Sequence, residues 1–441
     1  MDYHFYYHIM ADKTVKQVNP FTGVEVWSVP GRGKKPSGDP LRDTVAALPE
    51  AIDPEGQCAF CISRLYETAP EKARIVREGA TYTVHAQVAP DQYQNTRPLF
   101  RRISNLFEIL SVDYWRKNYS YRLSAHNNAW KESYLANPVG LRHVTDILQY
   151  KLRRQGRSDE EIVSILDKEL WSMADSLFGG GHELIVADRH FATDESGIPA
   201  LFFTGDLSDD EHYQYFRFII AAMQDIVQNN RYVRALSVFK NWLAPAGATF
   251  DHLHTQIVAI DAWGEAMERR IKMVVQDKNV YNTYGPNFAG YNNLVFAEND
   301  AAIAFVGIGH RYPTVEIFSK SVHARPSDHS DDEVRGMSDM VRAVHAAIGR
   351  NTSVNEEWFH TPMDSIFKIP WHVFIRQRIN TPAGFEGGTN IFINPLTPED
   401  LRDQLVPRLY ALRSRGAIAS SISIAEECIV TPNPLQYYRG S

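Results

Sequence analysis

A pattern of strand, helix, strand and strand occurs twice in this sequence, and it restricts the fold more than any other feature. Each copy has a Glu, a His seven residues later, and then Ser-Asp-Asp-Glu. The copies contain Glu183, His190 and Ser208-Asp-Asp-Glu211, and Glu316, His323 and Ser330-Asp-Asp-Glu333. We interpret the repetition as an internal duplication. Chance similarity is the alternative, because such helix-start signals recur in unrelated proteins.

Four helix starts and five strands are predicted from local pattern. Three Ser-x-x-Glu segments indicate capping boxes, in which the serine hydroxyl accepts from a free backbone N–H, and Thr397-Pro398 marks a fourth start. The predicted helices cover 159–177, 209–229, 331–348 and 398–414. Segments rich in β-branched and aromatic residues predict strands of an antiparallel sheet at 183–188, 234–240, 252–260, 314–319 and 371–379. The predicted fold class is therefore α+β.

The duplication predicts two halves, 1–285 and 286–441, which meet in one extended sheet or across a homodimer. Residues 113–178 interrupt the first half and are predicted to be mainly helical. Apolar residues at helical spacing favour an amphipathic unit packed on the body of the protein. A lid or a dimer contact is the alternative.

Composition excludes several classes of function. The formal charge of the 441 residues is −7, which argues against a nucleic-acid partner. No apolar run approaches the roughly 20 residues of a membrane helix. The start, MDYHFYYHIM, lacks the basic and apolar regions of a signal peptide. We therefore expect a cytoplasmic protein with no membrane or nucleic-acid partner.

The segment His252-Leu253-His254-Thr255-Gln256 carries the strongest chemical signal. On a strand its two histidines and glutamine point to one face, because side chains alternate. One imidazole can attack phosphorus, a second can bind metal, and an amide can donate to a phosphoryl oxygen. Upstream, Gly247-Ala248-Thr249 offers small residues and a hydroxyl to a phosphate. Metal ligands alone, or plain surface residues, are the alternatives.

Cysteine usage indicates metal or redox chemistry. The chain has 3 cysteines, of which Cys58 and Cys61 form Cys-x-x-Cys and Cys428 stands apart. Two thiolates at this spacing are common ligands of a metal such as zinc. A redox pair is the alternative, although no thioredoxin-like strand and helix surround the motif.

Together these motifs resemble the galactose-1-phosphate uridylyltransferase family of the histidine-triad superfamily, over most of the chain outside 113–178. The distal pattern is closest to the members that act as phosphorylases, such as ADP-glucose phosphorylase. The resemblance implies two histidine-triad-like halves. The matching segments are Asn19–Gly23, Gly31–Pro36, Cys58–Cys61, Arg102–Phe107, the segment from Asn241 to Gln256, Trp371–Ile375 and Gly384–Pro395.

The resemblance implies a role for each matching residue. His254 would be the nucleophile, and Gln256 would donate to a non-bridging phosphoryl oxygen. His182 is a rival of His190 for the metal. The structural zinc would be bound by Cys58, Cys61, His190 and His252. The nucleotide and its phosphates would contact Arg32, Lys35, Asn105, Phe107, Asn241, Gly247, Ala248 and Thr249.

The function implied is transfer of a nucleoside monophosphate from a nucleotide-sugar to a sugar phosphate through a nucleotidyl-histidine. One alternative is a phosphorylase acting on ADP-glucose or a dinucleoside polyphosphate. Another is a zinc-stabilised nucleotide-binding protein without catalysis. The strand at Trp371-His372 lacks the second His-x-His pair of some members, so no second metal is predicted. Asn390 or Thr389 stands where the uridylyltransferases have an acidic residue, which argues against galactose as the sugar, and Arg378 is a candidate anion contact.

Overall fold

The computed structural model describes residues 5–31, 53, 55–193 and 199–439. Strands and helices are numbered along this part of the chain. The strands are β1 (Tyr7–Ile9), β2 (Val15–Val18), β3 (Glu25–Ser28), β4 (Glu71–Glu78), β5 (Thr81–Ala86), β6 (Pro98–Ser104), β7 (His182–Ala187), β8 (Phe191–Thr193), β9 (Pro199–Leu201), β10 (Ala235–Trp242), β11 (His254–Ile260), β12 (Val295–Glu298), β13 (Ala302–Val306), β14 (Thr314–Ser319), β15 (Val354–Phe359), β16 (His372–Gln377), β17 (Ile391–Ile393) and β18 (Ser423–Ile424). The α-helices are α1 (Val112–Tyr119), α2 (Ala125–Ala136), α3 (Pro138–Arg154), α4 (Asp159–Phe178), α5 (Asp209–Asn229), α6 (Glu265–Gln276), α7 (Val280–Tyr284), α8 (Pro286–Tyr291), α9 (Asp331–Ile348), α10 (Gly384–Thr389) and α11 (Pro398–Ser414).

The four predicted helices are confirmed as α4, α5, α9 and α11, with bounds that agree within one residue. Each begins with a capping box. Ser158, Ser208 and Ser330 each accept from the backbone N–H of the glutamate three residues on, and that glutamate accepts from the serine N–H. Thr397 and Asp400 do the same in α11. These local hydrogen bonds explain why helix starts are legible in the sequence.

One antiparallel sheet of 12 strands runs through the molecule, in the order β18-β12-β13-β14-β16-β15-β10-β11-β7-β6-β4-β5. Its two central strands, β10 and β15, pair antiparallel with Asn241 opposite Asn355. The six strands on the β10 side of this junction (β4 to β7, β10 and β11) come from the first part of the chain. The six on the β15 side (β12 to β16 and β18) come from the second part. The predicted α+β class and the single extended sheet are confirmed.

The repeated pattern forms equivalent structures on the two sides of the junction. The first copy is β7, α5, β10 and β11; the second is β14, α9, β15 and β16. Helices α5 and α9 pack against each other and bury one continuous apolar core against the sheet. The division at 285/286 falls between α7 and α8 and stays a prediction.

A second sheet of 4 strands, β1-β2-β3-β17, lies outside the main one. The parallel pairing of β17 with β3 joins the first described segment to the C-terminal part of the chain. Tyr7, Val15 and Phe21 from this segment share a core with Phe305 and Phe374. The N-terminal segment therefore packs on β13 and β16, two strands of the C-terminal part of the chain.

Residues 113–178 form α1 to α4, which confirms the predicted helical character. Trp130, Val144 and Leu177 pack against Leu184 and Val186 of β7, whereas Ile185 of the same strand faces the α5 side. Helices α2, α3 and α4 therefore cover the sheet face opposite α5, whereas Trp115 of α1 packs in the α5 core. In the described part of the chain, no helix combines the length and apolarity that a membrane span requires.

Candidate active site and metal centre

Four predicted metal ligands lie together on the sheet face that the insertion borders. The ligand atoms of Cys58, Cys61, His190 and His252 are all within 4.8 Å of one another. The two sulfurs are 3.8 Å apart, and Nδ1 of His190 lies 3.3 Å from Cys61 Sγ and 3.7 Å from Cys58 Sγ. Nδ1 of His252 lies 3.5 Å from Cys58 Sγ and 3.9 Å from Cys61 Sγ. The cluster could therefore bind a metal such as zinc.

These distances fit a tetrahedral zinc ion. With Zn–S bonds of about 2.3 Å and Zn–N bonds of about 2.0 Å, a tetrahedron has an S–S edge of about 3.8 Å and S–N edges of about 3.5 Å. The second imidazole nitrogen of His252 donates to the carbonyl of Ala187 across 2.8 Å, which leaves Nδ1 free to ligate. A backbone N–H of Cys58 donates to Cys61 Sγ. Four protein ligands leave no open position, which is typical of a structural site.

The cluster joins three distant segments of the chain. Cys58 and Cys61 lie before a short 3₁₀ helix, His190 follows β7, and His252 precedes β11. The insertion supports the first segment, because His143 of α3 donates to the carbonyl of Thr68 across 2.8 Å. The site therefore ties the N-terminal cysteines to the strand that begins at His254.

The prediction that the strand includes His252 is wrong by two residues. Strand β11 begins at His254, and His252 lies in the bend before it. The imidazole of His252 is turned towards the cysteines, a tertiary contact that the alternating pattern does not include. His254 and Gln256 do share one strand face, as predicted.

His254 is oriented by a hydrogen bond within its own segment. Its Nδ1 donates to the carbonyl of His252 across 2.7 Å, so Nε2 carries the lone pair. Phe60 packs over the ring, with centroids 5.2 Å apart, and the side chain is buried. Burial lowers the pKa of His254 to about 4, so the imidazole is neutral near pH 7. A neutral, oriented imidazole is suited to nucleophilic attack.

Gln256 is bound by His182, the residue that the sequence left as a rival metal ligand. Nε2 of His182 lies 2.9 Å from Oε1 of Gln256, and Nδ1 of His182 accepts from the N–H of Ile109 at 3.2 Å. The side chain is almost fully buried, and burial lowers its pKa. His182 is not part of the four-ligand cluster among the described residues.

The other side of His254 faces Asn241 and the segment that contains Gly247. Continuing the β10–β11 register, in which Phe239 pairs with Gln256, places Asn241 opposite His254. Gly247 adopts φ +87°, a left-handed conformation that favours glycine, and a Cβ added to it would lie 3.9 Å from the Asn241 amide nitrogen. Gly247 and Thr249 are exposed and Ala248 is half-buried, so a ligand can approach all three.

The remaining predicted nucleotide contacts differ in placement. The side-chain oxygen of Asn105 accepts a hydrogen bond from the backbone N–H of Phe107 in a tight turn. The side-chain amide nitrogen of Asn105 lies 3.0 Å from Nε2 of His182. Phe107 is 53% exposed, so its ring is available to stack on a base. Arg32 and Lys35 lie outside the described residues.

Two residues beside the site were not selected from the sequence. Phe60 lies between the metal-binding cysteines and covers His254. Asn355 of β15 donates to Oδ1 of Asn241 across 2.7 Å, and Arg378 donates to Oδ1 of Asn355 across 2.9 Å. The sequence repeat makes β15 the equivalent of β10, and this was the only sequence signal that bears on Asn355. The repeat does not specify the register of the two strands, so it could not select this residue.

The fold is similar to two solved plant structures. An ADP-glucose phosphorylase from Arabidopsis thaliana with bound ADP-glucose has a TM-score of 0.56 and 17% identity, over 88% of this chain and 97% of that chain. A GalT-like protein from Arabidopsis thaliana has a TM-score of 0.52 and 17% identity, over 80% and 92%. At such identity the likeness shows the fold alone. No curated protein sequence matches the chain.

The fold is therefore similar to that of a GalT-like protein and of an ADP-glucose phosphorylase, and the Cys₂His₂ cluster could bind a metal. The resemblance predicted from the motifs is thus confirmed at the level of the fold. The chain belongs to the family described as Domain of unknown function (DUF4921), whose sequence profile matches residues 10–437.

Proposed function

We propose that the protein transfers a nucleoside monophosphate from a nucleotide-sugar to a sugar phosphate through a covalent intermediate on His254. The observation that carries this proposal is the buried, neutral imidazole whose Nδ1 is tied to the His252 carbonyl. That hydrogen bond leaves the lone pair on Nε2 and stabilises the positive charge that would develop on the ring.

In the first step, the Nε2 lone pair of His254 attacks the α-phosphorus of the donor. The N–P bond forms, the bond to the bridging oxygen breaks, and a sugar phosphate leaves with that electron pair. In the second step, a phosphate oxygen of the acceptor attacks the same phosphorus. The new P–O bond forms, and the electron pair of the N–P bond returns to Nε2.

Gln256 and Asn241 are proposed to stabilise the transferring group. Both side chains are carboxamides: Gln256 lies on the same strand face as His254, and Asn241 lies opposite His254 on the neighbouring strand β10. Losing one such donor typically costs about 3 kcal/mol of transition-state stabilisation. Neither amide can act as an acid or base at neutral pH, which favours transfer over hydrolysis.

Zinc is proposed to have a structural role. With all four positions filled by Cys58, Cys61, His190 and His252, the ion would hold the segment of His254 in place without contacting substrate. We propose that Gly247, Ala248 and Thr249 form the rest of the phosphate site. Arg32 and Lys35 are included on the basis of the sequence alone.

A phosphorylase is the second candidate, supported by the distal Gly384–Pro395 pattern and by the fold shared with an ADP-glucose phosphorylase. Both reactions would share the first step. Inorganic phosphate would replace the sugar phosphate as the attacking group in the second. Dependence on the acceptor therefore separates the two candidates.

Mass spectrometry of the intact protein tests the proposal. After incubation with UDP-sugars, ADP-sugars or dinucleoside polyphosphates, we expect a mass gain of one nucleoside monophosphate that acid removes. His254→Asn should show no gain. Adding a sugar phosphate, or inorganic phosphate alone, to the adduct then identifies the acceptor. Nucleotide binding without an adduct, for every donor, would instead support a binding protein without catalysis.

A further inference from the structure

Both carboxamides beside His254 have their oxygen atoms occupied by a donor from a neighbouring strand. Nε2 of His182 on β7 lies 2.9 Å from Oε1 of Gln256. On the other side, Nδ2 of Asn355 on β15 donates to Oδ1 of Asn241 across 2.7 Å. In each carboxamide the NH₂ group is then the donor available to a phosphoryl oxygen.

We propose that His182 and Asn355 are positioning residues, which orient the amides of Gln256 and Asn241 so that both NH₂ groups donate to the phosphoryl group on His254. This inference rests on the proposed function, because it assigns the ligand of the two amides. It adds a second layer of residues that the sequence motif does not contain.

The orientation of Gln256 follows from an unambiguous donor. The backbone N–H of Ile109 can only donate, so Nδ1 of His182 accepts and Nε2 carries the hydrogen. That hydrogen points to Gln256, whose oxygen must accept it. The Asn105 amide nitrogen is 3.0 Å from the same Nε2, but its own hydrogens cannot bond to a protonated nitrogen. The Asn105 oxygen is held by Phe107, so this amide cannot turn.

The orientation of Asn241 follows in the same way from an arginine. Arg378 carries only donors, so the Asn355 atom that it contacts is the oxygen. The Asn355 NH₂ group then donates to Asn241 Oδ1 and to the carbonyl of Ala246. Asn355 therefore fixes both the Asn241 amide and the residue that precedes Gly247.

The positions of the two amides suit one shared ligand. Gln256 is two residues beyond His254 on β11, and Asn241 faces His254 from β10. Neighbouring strands lie about 4.8 Å apart, so a phosphoryl group on Nε2 is within reach of both side chains. Two NH₂ groups on opposite sides can bind the two non-bridging oxygens, on which charge develops during transfer.

Single-turnover formation of the nucleotidyl-His254 adduct tests the inference, with zinc content and Tm as controls for folding. We expect His182→Leu and Asn355→Asp each to slow adduct formation roughly 10- to 100-fold. His182→Gln keeps an N–H donor at the position of Nε2 and should restore most of the rate. A fully active His182→Leu variant with intact zinc would overturn the inference.

Double variants separate orientation from general structural damage. Once Gln256→Ala has removed the amide, adding His182→Leu should change the rate less than threefold. In Asn241→Ala, adding Asn355→Asp should slow the rate by a smaller factor than it does in the wild type, and the remaining effect reflects the lost bond to the Ala246 carbonyl. Fully additive losses would overturn the inference, because they would show that the second residue acts without the amide.

A binding measurement distinguishes failure of this inference from failure of the proposed function. In a His254→Asn background, calorimetry with ADP and UDP should show weaker binding for His182→Leu only while Gln256 is present. If the wild-type protein forms no adduct but this dependence holds, the proposed transfer is wrong and the amide orientation stands. If no nucleotide binds and no adduct forms, both are overturned.

Discussion

His254 and His372 make the same hydrogen bond at the start of equivalent strands. Nδ1 of His254 donates to the carbonyl of His252 across 2.7 Å, and Nδ1 of His372 donates to the carbonyl of Pro370 across 2.8 Å. Both residues open the last strand of a repeated unit. The duplication therefore extends from the order of elements to the tautomer of one histidine in each copy.

The surroundings of the two rings differ. His372 is fully buried and stacked between Phe318 and Phe359, with centroids 4.3 and 5.0 Å away. Its Nε2 has no hydrogen-bond partner among the described residues. Because aromatic rings cover both faces, we expect the chemistry to be confined to the copy with His254.

His372→Phe should therefore leave nucleotidyl-adduct formation within threefold of the wild type. The substitution loses one hydrogen bond, worth about 1 kcal/mol, but also removes an unsatisfied buried nitrogen. We expect the free energy of unfolding to change by less than about 1.5 kcal/mol in a urea titration. Loss of the adduct in a folded, zinc-loaded His372→Phe protein would contradict the assignment.

Substitution of a metal ligand should remove zinc and destabilise the protein. Cys58→Ser or Cys61→Ser should reduce zinc content, measured by atomic absorption, from about one ion per chain to a small fraction. Cys428→Ser is the matched control, since this third cysteine lies outside the cluster in the described structure. Full zinc content in Cys58→Ser would rule out the proposed ligand set.

The buried ion pair between Lys240 and Glu356 should be a major determinant of stability. Their charged atoms are 2.6 Å apart on the two central strands, and both side chains are 1% exposed. Lys240→Met would leave Glu356 buried without its cation, which typically costs about 3–5 kcal/mol. Urea unfolding measures the loss, and the double variant Lys240→Met/Glu356→Gln should recover part of it.

An exposed ion pair provides the control for this prediction. Arg153 and Asp159 are 3.0 Å apart but 55% and 81% exposed. Arg153→Ala should change the free energy of unfolding by less than about 1 kcal/mol. Equal losses for Lys240→Met and Arg153→Ala would show that burial of the central pair has no special effect.

Glu183 should make stability sensitive to acid. Burial acts to raise the pKa of this carboxyl, but the charges of Arg102 and Lys72 outweigh it and lower the pKa to about 2. A lowered folded-state pKa adds stability above the unfolded pKa of 4.5, and this is lost as the pH falls towards 2. By linkage, the contribution of Glu183 to the free energy of unfolding falls by about 1 kcal/mol between pH 7 and pH 4.

Glu183→Gln tests this contribution. Its destabilisation relative to the wild type, measured by urea unfolding, should be largest at pH 6–7 and should shrink below pH 4.5. A difference that does not change with pH would show that Glu183 is not the titrating group. The variant also leaves Lys72, whose Nζ is 2.6 Å from the carboxylate, without its main ionic partner.

The sequence alone was sufficient for features that depend on neighbours a few positions away. The capping boxes of α4, α5 and α9 each involve two residues three apart, so their free energy is encoded locally. The repeated Ser-Asp-Asp-Glu predicted the duplication, and the Cys-x-x-Cys and His-x-His-x-Gln motifs pointed to Cys58, Cys61, His252 and His254. Each of these patterns is contiguous in the chain.

Only the tertiary structure decided which distant residues meet at the site. His190 lies with the cysteines while His182, eight residues earlier, turns to Gln256, because strand β7 places the two histidines in different surroundings. Asn355 reaches Asn241 only through the β10–β15 register. Sheet register is determined by packing summed over many strands, and a shift of one residue would turn these side chains to the other face. A motif of five residues contains no information about that sum.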